Sequence, residues 1–143
     1  MAVTAWTAET AVKGATQQKV VAKELTRTQI VQYAGASGDF NPLHTDEVFA
    51  QKIAGYPSVF AHGMLSMGTT GTLVTDAFGD GNVTSYGVRF RSQVWPGDTL
   101  TATLTITDVE RKTDATHVSA TVETVNQKGE VVVSGTATAA LPH

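Results

Sequence analysis

Asp39, Asn41 and His44 set a carboxylate, a carboxamide and an imidazole within six positions of the run Ser37-Gly38-Asp39-Phe40-Asn41-Pro42-Leu43-His44. Neutral imidazole is the side chain best matched to proton transfer near neutral pH. A carboxylate beside it can hold a water and orient it. Converging on one water, the two groups can activate it for addition to a conjugated double bond. In the reverse direction they can return a proton to a departing hydroxyl. Pro42 fixes its own φ and pushes Asn41 towards extended geometry. The segment therefore reads as a stiff, non-helical loop, and such loops carry chemistry when a rigid scaffold holds them. Each residue also has an ordinary reading: Asp39 as an Asx turn, Asn41 as a turn residue before proline, His44 as a packed or surface histidine.

The elements around this loop follow from periodicity and turn chemistry. Met1 to Gly14 reads as an irregular lead-in whose Trp6 tucks onto the core, and Gln17 to Lys23 as a first strand. Thr26 followed by Gln29 makes a capping box, so a helix starts there, carries Ile30, Val31, Tyr33 and Ala34, and ends at Gly35 and Gly38. Asp39 then stands just past a helix C-terminus. Asp46 reads as the N-cap of a short helix through Ala54, with Val48, Phe49 and Ile53 on its apolar side. From Gly63 to about Phe78 the pattern is apolar and small, a helix that keeps Gly68 and Gly71. Glycine inside a helix costs about 1 kcal/mol relative to alanine, so another backbone is expected close by. Gly79 to Asn82 is a turn cluster. The character then becomes β: Thr84 to Val94, the alternating Leu100 to Thr107, His117 to Val125, a loop at Asn126 to Gly129, and Glu130 to Ala140. Helices followed by an antiparallel meander indicate an α+β domain.

Two stretches together, Ser37 to His44 and Phe60-Ala61-His62-Gly63-Met64, resemble the signature of the MaoC-like, or R-specific enoyl-CoA hydratase, family, which includes hydroxyacyl-thioester dehydratase subunits. Val88-Arg89-Phe90 and Val94-Trp95-Pro96-Gly97-Asp98 also fit the family's strand and turn. The resemblance implies a single hotdog domain over residues 1–143, with a curved antiparallel sheet wrapped around a long central helix. It implies R-specific hydration of a trans-2-enoyl thioester, or dehydration of the 3-hydroxyacyl thioester. Asp39 and His44 would then be the catalytic pair, and Asn41 would position the water or the loop. The backbone N–H of Gly63, at the start of the long helix, would receive the charge that moves onto the thioester oxygen. His62 is expected to hydrogen-bond the loop, Met64 and Met67 to pack in the core, and His117 and His143 to be incidental. The substrate would be an acyl-CoA or acyl-carrier-protein thioester, and the partner a second copy or a related hotdog subunit. Arg89 and Arg91 read either as solvated strand residues or as facing the carrier's phosphates, and a basic rim including Lys112 would favour the acidic carrier protein.

Two other functions share this fold. A hotdog thioesterase would need a carboxylate on the long helix, and Gly63 to Thr75 has none. A non-catalytic acyl-binding subunit of a heterodimer usually lacks the acid–histidine pair.

Composition narrows the field further. The 143 residues suit one domain with a sizeable core. Without cysteine there is no disulfide, thiolate metal site or cysteine nucleophile. A net charge of −3 gives no reason to expect nucleic acid or an anionic membrane surface as partner. No histidine pair at i, i+4, P-loop or dinucleotide glycine fingerprint occurs, so neither a metal nor a cofactor is expected. Neither a secretory signal nor a membrane span is evident, which makes a cytoplasmic protein the expectation.

Overall fold

A computed structural model describes residues 2–143; Met1, the first residue of the expected lead-in, lies outside them. The elements are β1 (Thr16–Ala22), α1 (Arg27–Ser37), α2 (Pro42–Thr45), a π-helical turn at Phe49–Ile53, α3 (Gly63–Phe78), β2 (Val83–Phe90), β3 (Leu100–Arg111), β4 (Thr116–Val125) and β5 (Val131–Leu141). All strand pairs are antiparallel, in the order β1-β3-β4-β5-β2. This is the α+β hotdog arrangement, one sheet folded about α3.

The inward face of the sheet explains how α3 fits. Along β3, Leu100, Ala102, Leu104 and Ile106 are buried while the intervening threonines are half-exposed. Ala102, Ala120, Ala137 and Ala139 leave room for a helix, and Leu73, Val74, Ala77 and Phe78 of α3 fill it. Trp6 joins this core, its ring centroid 5.5 Å from that of Phe78. A buried hydroxyl pair, Thr70 and Thr124 at 2.7 Å, satisfies the polar groups where α3 crosses β4.

Several sequence expectations change in the fold. The meander holds only for β3, β4 and β5; β2 lies at the far edge beside β5, because alternation reveals a strand and not its neighbour. β2 ends at Phe90 instead of Val94, since Phe90 pairs with Val133 and β5 begins only two residues earlier, at Val131. Beyond it Val94 turns into a second core with Leu25, Ile30, Ala61, Leu100, Val132 and Val133. α1 passes through Gly35 and stops at Gly38, whose φ of 77° is left-handed and whose N–H reaches the Ala34 carbonyl. Nothing approaches Gly68, and Gly71 faces the Tyr86 ring, not a backbone. Met64, Val48 and Ile53 are exposed, so neither Met64 nor that side of the short helix serves the core.

Gly135 is where close backbone approach is real. A Cβ there would lie 2.8 Å from Val88 Cα and would strike the Gly87 carbonyl. Gly135→Ala therefore has to spread β2 from β5, and a stability loss of about 1–3 kcal/mol is expected in urea unfolding.

Candidate active site

The segment 39–44 is built by side chains folded back on their own backbone. Asp39 Oδ1 accepts the Asn41 N–H at 3.3 Å, and Asn41 Oδ1 accepts the Leu43 N–H at 3.0 Å. Asn41 is thereby the N-cap of α2, with Pro42 at the first helical position. The expected non-helical loop is thus half helix: proline supplies the first-turn φ and loses only an N–H that the turn leaves free. His44 rides on this single turn, 8 % exposed, while Asp39 is exposed.

The residues 60–62 stitch this turn to the start of α3. Phe60 N–H donates to the Leu43 carbonyl at 3.2 Å, and His44 Nδ1 bonds the Phe60 carbonyl at 2.6 Å. His62 Nε2 bonds the Asp39 carbonyl at 2.9 Å, which is the loop contact expected of it. A carbonyl can only accept, so both ring nitrogens carry hydrogen. In its neutral form His44 therefore presents a bare Nε2, the lone pair a general base needs. The outer segment is held by Glu47, which accepts from Arg27 at 3.1 Å and from the Val59 N–H at 3.3 Å.

Asp39, His44 and His62 each offer an oxygen or nitrogen within 4.8 Å of the others. Such a triad could suggest a metal. The two imidazoles are stacked, however, with centroids 3.9 Å apart and planes 25° from parallel. Lone pairs lie in the ring planes, so stacked rings send them side by side and not onto a shared ion at the roughly 2.0–2.1 Å a zinc–nitrogen bond requires. The arrangement suits proton transfer between a carboxylate, an imidazole and water. Burial pulls the His44 pKa below its ordinary value of 6.5; the Phe60 carbonyl opposes this, nearby His62 adds to it, and the Asp39 carboxylate opposes it.

Gly63 opens α3, with His62 as N-cap. Among the described residues neither Gly63 nor Met64 N–H has an acceptor, as expected for the first turn of a helix. Gly63 borders a cavity of about 280 Å³ with Phe60, Ser66, Phe90, Arg91 and Val133 in its wall. Asp39 and His44 are not in that wall. Phe60 is, and its ring also meets His44 edge-on at 5.2 Å, so one aromatic ring is shared by the cavity and the acid–base pair. The Phe90 ring rests 3.0 Å from where a Gly63 Cβ would stand. Phe40, Met64 and Phe90, more than half exposed, follow or face the site residues. Sequence reasoning did not single out Phe60 or Phe90 as wall residues, although both lie inside the stretches that carry the family pattern.

Arg89 and Arg91 are exposed, with Arg91 Nε donating to Ser134 at 2.8 Å and neither paired to a carboxylate among the described residues. Lys112 pairs with Glu110 at 3.6 Å, in the β3–β4 turn, and lines none of this cavity. His117 and His143 bond Asp114 and the Lys112 carbonyl, away from the site. Among the described residues no helix is long and apolar enough to cross a membrane.

Comparison with known proteins follows the same outline. Residues 9–128 match the MaoC-like domain family. The (R)-specific enoyl-CoA hydratase of Rhodospirillum rubrum is 35% identical over 130 residues, 88% of this chain and 86% of that protein. The 3-hydroxyacyl-thioester dehydratase Y of Mycobacterium tuberculosis is 38% identical over 86 residues, 58% of this chain, and the match spans only 30% of that longer protein. The solved (R)-hydratase from A. caviae superposes with a TM-score of 0.80 at 27% identity, covering 94% of this chain and 99% of the other.

Proposed function

The chain belongs to the MaoC-like domain family, whose relatives named above are hydro-lyases, and we propose that it interconverts a trans-2-enoyl thioester and the R-3-hydroxyacyl thioester. One observation carries this reading: an Asp39 carboxylate oxygen and a His44 ring nitrogen lie within 4.8 Å of each other, a gap that one water can bridge, and the Phe60 bond at Nδ1 leaves the His44 lone pair on Nε2. In the hydration direction His44 Nε2 takes a proton from that water while Asp39 orients it and its oxygen bonds to C3. Charge moves onto the thioester oxygen, facing the Gly63 N–H. The proton is then delivered to C2 on the same face, so water adds syn. Asn41 shapes the turn through its bond to the Leu43 N–H.

The cavity beside Gly63 would take the thioester end, and Arg91 at its wall offers a cation to the phosphate of CoA or of a carrier protein. Exposed Phe40, Met64 and Phe90 favour a second copy or a related hotdog subunit over the site. The reading keeps the cytoplasmic location expected from the sequence, and residues 1–143 as one such domain. A thioesterase is disfavoured because the one acid on α3, Asp76, lies about 20 Å along the helix from Gly63 and is bound to Lys19 at 2.6 Å.

The test is the purified chain with crotonyl-CoA. Loss of the enoyl absorbance with formation of R-3-hydroxybutyryl-CoA is expected. Free thiol release, or the S product, would replace this reading.

A further inference from the structure

His62 stands at the N-cap of α3, yet its side chain caps nothing. Serine, threonine, aspartate and asparagine satisfy a free amide from that position, and histidine here does not. The ring is 2 % exposed, and its Nδ1 is buried without a partner, an arrangement that helix stability alone would not favour. The ring is instead committed elsewhere. Its Nε2–H holds the Asp39 carbonyl at 2.9 Å, 23 residues back in the chain. One face stacks on His44 at 3.9 Å, and Tyr33 from α1 meets the ring edge-on at 4.9 Å.

We propose that His62 is a positioning residue for the reaction: it ties the turn that bears the acid to the ring that acts as base, so that both meet one water. The proposal rests on the hydration reading above. Two constraints fix His44. The Phe60 carbonyl sets the direction of its Nδ1 edge, and the His62 face sets the plane of the ring, so the bare Nε2 has one heading. Asp39 needs a third, because its side chain is exposed and its own Asx bond is long at 3.3 Å. The carbonyl bond from His62 supplies it. The titratable groups around His44 and His62 are Asp39 and Tyr33, and no Lys or Arg is among the contacts that hold either ring.

His62→Ser and His62→Phe separate this role from a structural one. Serine restores a helix cap and removes the ring; phenylalanine keeps a flat ring and removes the donor. In both, kcat is expected to fall about 10²-fold with KM changed little, the scale of a catalytic group displaced by about 1 Å. His62→Ser gains a helix cap but loses a buried ring and the donor to the Asp39 carbonyl, so its rate is referred to the folded fraction read from its own melting curve. Imidazole ¹⁵N NMR gives a readout that needs no turnover: in His62→Ser the His44 pKa should rise towards 6.5, because burial and the neighbouring ring both hold it down. A parent without hydratase activity would sink the reaction reading, while the His44 titration would still decide the positioning role. Unchanged His44 titration together with unchanged kcat, or a loss of kcat that merely tracks lost folded protein in both variants, overturns the proposal.

Discussion

Asp39→Asn is expected to cut hydration by about 10²–10⁴-fold and leave the fold unchanged, the range attached to a positioned acid or base. The side chain is exposed, and its backbone partner is the Asn41 N–H, which an amide oxygen can equally accept. Only the charge and its lone pairs are lost. His44 carries a structural bond as well. His44→Ala deletes the donor to the Phe60 carbonyl and leaves that half-buried group without its partner, at about 1–3 kcal/mol, so activity and stability fall together. His44→Asn retains a donor near Nδ1 and removes Nε2, and should match Asp39→Asn in rate while melting close to the parent. The double variant should be little slower than either, because a pair acting on one water is lost with its first member. In the parent, a base depressed below 6.5 stays unprotonated further into acid, so kcat/KM should hold level as pH falls through 6.5 and drop only below the lowered value. The sign for stability is opposite to that of a paired histidine. Below 6.5 the unfolded chain takes up the proton first, so folding weakens as pH falls. Full activity in both single variants would remove the pair from the mechanism.

The second large effect concerns an amide that no side-chain deletion can reach. Gly63→Pro removes the N–H, and the local backbone is ready for it. Gly63 is the first residue of α3, where proline is tolerated, and His62 before it already has ψ of 137°, the extended geometry a residue before proline prefers. The helix should therefore persist, as circular dichroism and melting would show. Gly63→Ala is the matched control, since both variants place a Cβ 3.0 Å from the Phe90 ring and only one keeps the donor. Phe90 is half-exposed, so its ring can swing aside to admit the methyl group. The ratio of kcat between the two variants should be about 10²–10³, the cost of one lost oxyanion donor. Equal rates would mean that the carbonyl charge is received elsewhere.

The elements most legible in advance were those governed by local rules. The Thr26–Gln29 capping box, the Gly63–Phe78 helix and the inward alternation of Leu100 to Ile106 each depend on bonds or faces within a few residues, and each stands as read. The acid–imidazole spacing was also legible, because Gly38, Asn41 and Pro42 set the turn locally. Less accessible was whatever depends on distant partners. Alternation marks β2 as a strand, but its place beside β5 requires the bare backbone of Gly135 to face it. Exposure of Met64, Val48 and Ile53 was likewise hidden, since an apolar side chain does not say which surface meets it.

The residue types and their order were enough to nominate candidate groups for proton transfer, a candidate amide for developing charge, and the helix that carries it. They pointed to a hydrogen bond from His62 to the loop, but could not specify that it falls on the Asp39 carbonyl with the ring stacked on His44, or that the Phe60 ring touches both His44 and the cavity beside Gly63. Local chemistry follows from neighbours in the chain; the heading of a lone pair depends on contacts between segments some twenty residues apart, and those exist only once the second core has closed over both.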